Sequence, residues 1–147
     1  MKRPLSPTPH LEFEHWCKHD LLRLADDLLG HDPLVIERCV AFVCAETRGI
    51  GHGRARAMTC RRLKHAVLNR SASEKLQSCI LGRLERGDFS EQFKDQLRLA
   101  IHLSPKSTLA ACQRGVASAH PHVKRYCLWA LALTSLAIAH RPRRQAA

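Results

Sequence analysis

What most constrains this chain is where it can stop being helical. Between its proline and glycine breakers it is built mainly from Leu, Ala, Arg, Lys and Glu, and no stretch sustains the apolar–polar alternation of a half-buried strand. The breakers fall at Gly30 and Pro33, in the run RGIGHG over 48–53, at Gly87, at Pro105, at Gly115 and at Pro121, and they leave helix-length segments between them. The fold class predicted is all-α: a single compact domain of about seven helices, packed as a bundle or a short solenoid. A chain of 147 residues is long enough to hide about 68 to 70% of its extended surface, so it needs no disulfide scaffold.

The pattern predicts a first helix over 11–29, with Leu21, Leu24 and Leu28 on one face and Gly30 as its stop. Asp32 as N-cap and Pro33 at the first helical position launch a second, over 34–47, which is apolar nearly all round and so expected to be central. A third runs over 54–68. The capping-box pattern SASE, Ser71 to Glu74, opens a fourth that Gly87 closes. Ser90 caps a fifth to Leu103, Ser104 before Pro105 caps a sixth to Gly115, and His120-Pro121 starts the last, to Ala139. Residues 1–10, with three prolines, read as a flexible arm, 11–140 as the helical domain and 141–147 as a basic tail. Cys39, Val40, Phe42, Val43, Leu128, Leu131 and Ile138 are the expected core of the two most apolar helices.

Two basic segments follow similar lead-ins, since LRLA occurs at 22–25 and again at 97–100, each time ahead of a proline-started helix. In the second segment, HPHVKRYCLWAL, the residues Val123, Lys124, Ala130 and Leu131 resemble the second helix of a HEAT-like α-helical repeat. The first segment keeps Ala55, Arg56 and Leu63 of that pattern, and the Asp usual before the apolar-basic pair is missing from both. The resemblance implies stacked helical hairpins. It would also permit a helical DNA glycosylase, but no acid stands in a recognisable position for one.

Charge is the strongest pointer to function. The chain carries 24 Lys and Arg against 13 Asp and Glu, a net +11, and the excess is segregated. Residues 47–73 hold seven bases and no acid, and residues 96–147 hold eight bases and no acid. On a helical wheel Arg54, Arg61, Arg62, Lys64 and His65 share one arc opposite Ala55, Thr59, Leu63, Ala66 and Val67, which predicts a basic face without an acid to pair with. Arg48, Arg56 and Arg70 belong to the same block, and Lys124, Arg125, Arg141, Arg143 and Arg144 extend it at the C-terminal end. Arg outnumbers Lys 17 to 7, which suits phosphate, because the guanidinium fork meets two oxygens at once. The glycine-rich turn before Arg54 would add the free amides of a helix N-terminus, though GIGHG is no P-loop.

The expected partner is therefore nucleic acid or another polyanion, bound through backbone phosphates with counterion release. With seven aromatics besides His, most at core spacing, double-stranded or structured nucleic acid is favoured over single strands. An acidic protein docking on the same faces is the alternative. Arg, Leu, Cys and His richness also resembles small accessory proteins from overlapping reading frames, including viral suppressors of host defence. No catalytic motif stands out, so a non-enzymatic role without cofactor is expected.

The seven Cys include no CxxC pair and the N-terminus has no secretory run, which predicts a reducing, cytoplasmic or nuclear setting with buried free thiols. His15 and His19 are four apart on the first helix, but no further ligand follows at zinc spacing, and no metal site is expected. The longest apolar run, Tyr126 to Ala139, is too short for a membrane span, with a tail anchor as the alternative.

Overall fold

The computed structural model describes residues 12–89 and 92–139, and of Ala137 and Ile138 the backbone alone. Among the described residues there are seven α-helices and no strand: α1 Lys18–Asp27, α2 Pro33–Cys44, α3 His52–Leu63, α4 Arg70–Arg86, α5 Phe93–Leu103, α6 Pro105–Gly115 and α7 Pro121–Ala139. The all-α fold expected from the breakers is the fold found.

Several boundaries lie where the residues direct them. Asp32 accepts from the Leu34 N–H at 2.9 Å with Pro33 at the first helical position, Ser104 accepts from Ser107 N–H at 3.3 Å, and Gly87 ends α4 in the left-handed region at φ +70°. Others were misplaced. The SASE capping box is not used, because Asn69 lies two residues earlier and accepts from Ala72 N–H at 2.8 Å. The stop after α1 falls not at Gly30 but at His31, whose φ is +54°, after a 3₁₀ turn over Leu28–Gly30. The first helix is broken over 14–17, where Phe13 dives into the core against Phe42 and carries Trp16 with it, ring centroids 5.4 and 5.0 Å away respectively. Ser90 and the tail over 141–147 lie outside the described residues.

The helices pack in two rows. α1, α3, α5 and α7 neighbour one another in turn, α2, α4 and α6 form the second row, and the major contacts join helices one or two apart in the chain. The central helix is α5, which packs against α3, α4, α6 and α7, not α2 as its apolar composition suggested. On α2 the face carrying Cys39, Val40, Phe42 and Val43 is buried as expected, while Leu34 is exposed. The last helix buries Val123, Tyr126, Cys127, Ala130 and Thr134; Leu128, expected inside, is half exposed, Leu131 is only partly buried, and the Ile138 side chain lies outside the described residues. No helix among the described residues is long and apolar enough to cross a membrane.

Candidate nucleic-acid interface

α3, α5 and α7 lie side by side, and their outer faces form a basic strip. Arg54 and Arg61, seven residues apart, share the exposed face of α3. Arg61 reaches Asp95 of α5 at 3.0 Å, and Asp95 also accepts from Arg98 at 3.2 Å. Arg98 and Lys94, one turn apart, stand over the Trp129 ring of α7 with their charged centres 5.2 and 5.3 Å from its centroid. Arg125, one turn before Trp129, completes a groove of about 470 Å³ with Lys94, Tyr126 and Trp129. Five cations thus lie on three neighbouring helices, and Asp95, 14% exposed, pairs with two of them, Arg61 and Arg98.

The residues expected to bind do not all come together here. Lys64 and His65 follow the end of α3, His65 beside Leu28, Leu29 and His31 on the α1 side, and Lys124 is exposed next to Arg125. Arg62 turns to α1 and pairs with Asp26. Arg70 lies at the start of α4 in the other row, paired with Glu74 at 2.8 Å, and Arg48 pairs with Asp88 at 3.1 Å. Arg56 is not on the surface at all: it is 8% exposed, and its Nη2 donates to the carbonyls of Ala45 and Thr47 at 3.1 and 3.0 Å and to Thr47 Oγ1 at 2.8 Å. Arg141, Arg143 and Arg144 lie outside the described residues. The expectation that the basic face of α3 lacks an acid is also corrected, since Asp26 and Asp95 arrive from neighbouring helices. Val67, placed on the wheel's apolar side, is exposed because α3 ends at Leu63.

The glycine-rich turn has a structural explanation. His52, at the first turn of α3, is buried, and its Nε2 donates to the Trp16 carbonyl at 2.7 Å while Nδ1 accepts from Thr47 Oγ1 at 2.8 Å. A Cβ at Gly49 would come within 2.5 Å of that ring, and Gly51 caps α3 at φ +78°, where a side chain would be strained.

The thiols divide by environment. Burial pushes Cys39 and Cys60 up to about 12, so both stay neutral and inert. The neighbouring Cys44 side chain holds the Cys79 thiol below the ordinary thiol value, with Arg83 adding to the effect, while Cys44 is raised; Cys79 Sγ donates to the Cys44 carbonyl at 3.8 Å and Cys44 Sγ to the Lys75 carbonyl at 3.9 Å. Among the described residues no three His, Cys, Asp or Glu side chains stand close enough to hold a metal ion.

Lys94, Arg98 and Trp129 were not singled out from sequence as binding residues. Their spacing alone, with Arg98 four after Lys94 and Trp129 four after Arg125, held the signal, but only the packing of α5 against α7 shows what it forms. No protein-family model matches the chain, and neither a curated protein nor a solved structure is significantly similar to it.

Proposed function

We propose that this protein binds double-stranded or structured nucleic acid through its backbone phosphates, without catalysing a reaction, along the strip formed by Arg54, Arg61, Arg98, Lys94 and Arg125. The observation that carries the reading is the run of these cations across α3, α5 and α7, joined through Asp95, which Arg61 and Arg98 share, and through Trp129, which Lys94 and Arg98 share. Each cation seated on a phosphate releases condensed counterions, giving affinity that needs no base recognition. Trp129 holds two of the cations in place by its ring face and adds an apolar surface beside them. A reducing intracellular setting suits the free thiols. The HEAT-like arrangement remains part of the proposal, because in such solenoids a helix meets only its near neighbours in the chain, as the two rows do.

The test replaces Arg54, Arg61, Lys94 and Arg125 by Gln and leaves Arg98 to satisfy Asp95. Affinity for duplexes of unrelated sequence should fall about equally, and each lost phosphate contact should flatten the log-log salt slope by up to about one unit. A matched variant at Arg70 and Arg114, which pair with Glu74 and Glu85 in the other row, should leave both unchanged. Full affinity and slope in the first variant would refute the strip and favour an acidic protein partner.

A further inference from the structure

The loop from α2 to α3, the C-terminal end of α4 and the start of α5 enclose a cleft of about 370 Å³, lined by groups that the basic strip does not use. Its floor holds two guanidiniums, Arg56 from α3 and Arg83 from α4, each more than nine-tenths buried. Both are anchored on the end of α2. Arg83 donates to the Val43 carbonyl at 2.6 Å and the Ala45 carbonyl at 3.1 Å, and Arg56 donates to Ala45 and Thr47.

Carbonyl dipoles orient the two cations but do not neutralise them, and buried charges are ordinarily paired. Among the described residues Glu46 is the carboxylate that meets this pair, reaching Arg83 Nε at 3.3 Å while half exposed and shared with Arg86 at 3.8 Å. The other acid lining the cleft among the described residues, Asp88, is engaged by Arg48. Among the described residues Arg56 therefore has no carboxylate of its own, and its Nε, closed off from the cleft, is buried without a hydrogen-bond partner. Burial, and then the Arg83 charge, lower its pKa to about 10, as expected of a cation short of a counter-charge.

Neutral donors surround the same space. Gln96, 8% exposed, gives its Oε1 to Arg83 at 2.9 Å, which leaves its amide nitrogen to donate. Gly53 lines the cleft from the first turn of α3; the His52 N–H before it donates to the Gly49 carbonyl at 3.0 Å, and the Gly51 cap has no side chain to occupy the Gly53 N–H.

We propose that this cleft is a binding site for a phosphomonoester dianion, held by the Arg56 guanidinium, the Gln96 amide and the Gly53 N–H at the first turn of α3. The source is either free phosphate or the phosphate group of a small ester, since both present the same oxygens to the same donors. The site stands apart from the nucleic-acid strip and does not depend on it.

Thermal unfolding of the full chain tests it, with inorganic phosphate, then glycerol phosphate, against sodium chloride at equal ionic strength. At ten times its Kd the bound anion should raise Tm by about 3 to 5 °C over chloride. A response to both probes assigns a small ester as an admissible ligand, and a response to inorganic phosphate alone assigns the free ion. Gln96→Glu places a carboxylate beside Arg83 and Arg56. It should raise Tm without phosphate and abolish the phosphate response, and Gln92→Glu at the cleft wall offers the same substitution if the first variant does not fold. Equal effects of phosphate and chloride would overturn the proposal. So would a phosphate response that survives Gln96→Glu and disappears in the four-fold Gln variant of the strip, a result that would leave the nucleic-acid proposal standing.

Discussion

Arg83 is the residue on which three helices depend. Its fork joins the Val43 and Ala45 carbonyls at the end of α2 to Gln96 of α5 from a position inside α4. Arg83→Met should cost about 3 to 5 kcal/mol in urea unfolding, because it leaves those acceptors and Gln96 buried without their donor. Arg83→Lys should recover little, since one ammonium cannot reproduce the fork. A loss below about 1 kcal/mol would mean that water serves the carbonyls equally well. Neither Arg83 nor the burial of Arg56 was legible in sequence, because a helical wheel ranks a residue against its own helix and not against the carbonyl end of another. Phe42 was legible, lying within the apolar run CVAFVCA. It is fully buried between Phe13, His52 and the Arg56 guanidinium, and Phe42→Ala should cost about 3 to 5 kcal/mol.

The thiols add a pH dependence at the same scale. Cys39 and Cys60 titrate at about 12 in the folded protein and at an ordinary 9.0 once unfolded, so the folded state holds their protons more tightly. Their contribution is complete below pH 9.0 and is lost as pH rises from there toward 12, at up to about 1.4 kcal/mol per pH unit for each thiol. Urea midpoints between pH 8 and 10.5 should show the decline, and Cys60→Ala should reduce its slope. A slope unchanged by that substitution would mean that Cys60 is not the buried thiol described.

At the scale of elements, glycines separate stops that sequence can locate from stops that packing sets. Gly87 ends α4 in the left-handed region, and an added Cβ would sit 2.9 Å from His122 Nε2, so Gly87→Ala should destabilise by about 1 to 2 kcal/mol. Gly30 meets nothing within 4 Å and lacks a positive φ, so Gly30→Ala should be neutral or stabilise by up to about 1 kcal/mol. Thermal unfolding of the pair decides it, and equal losses would contradict these backbone assignments. Capping residues were legible where one candidate stood alone, as Asp32 and Ser104 did, and misassigned where Asn69 and Ser71 competed within three residues. On α7 the apolar run is nearly continuous, so composition could not tell its covered face from its exposed one. Contacts with α5 and α6 choose Val123, Cys127 and Ala130, and leave Leu128 half exposed.

For the whole molecule, charge segregation along the chain is not charge segregation in space. The acid-free segment over 47–73 meets Asp26 from α1 and Asp95 from α5, and what remains outward is a strip shared by three helices rather than one helical face. The net +11 was legible from composition, and the address of that charge was not, because it depends on α5 lying between α3 and α7. Lysine acetylation with and without a duplex of arbitrary sequence tests that address most directly. Lys94 in the groove beside Trp129 should be protected, and Lys124 beside Arg125 less strongly, while Lys75 of α4 and Lys106 of α6 react at the same rate in both samples. Protection spread evenly over all of these lysines, or confined to Lys75 and Lys106, would contradict the account.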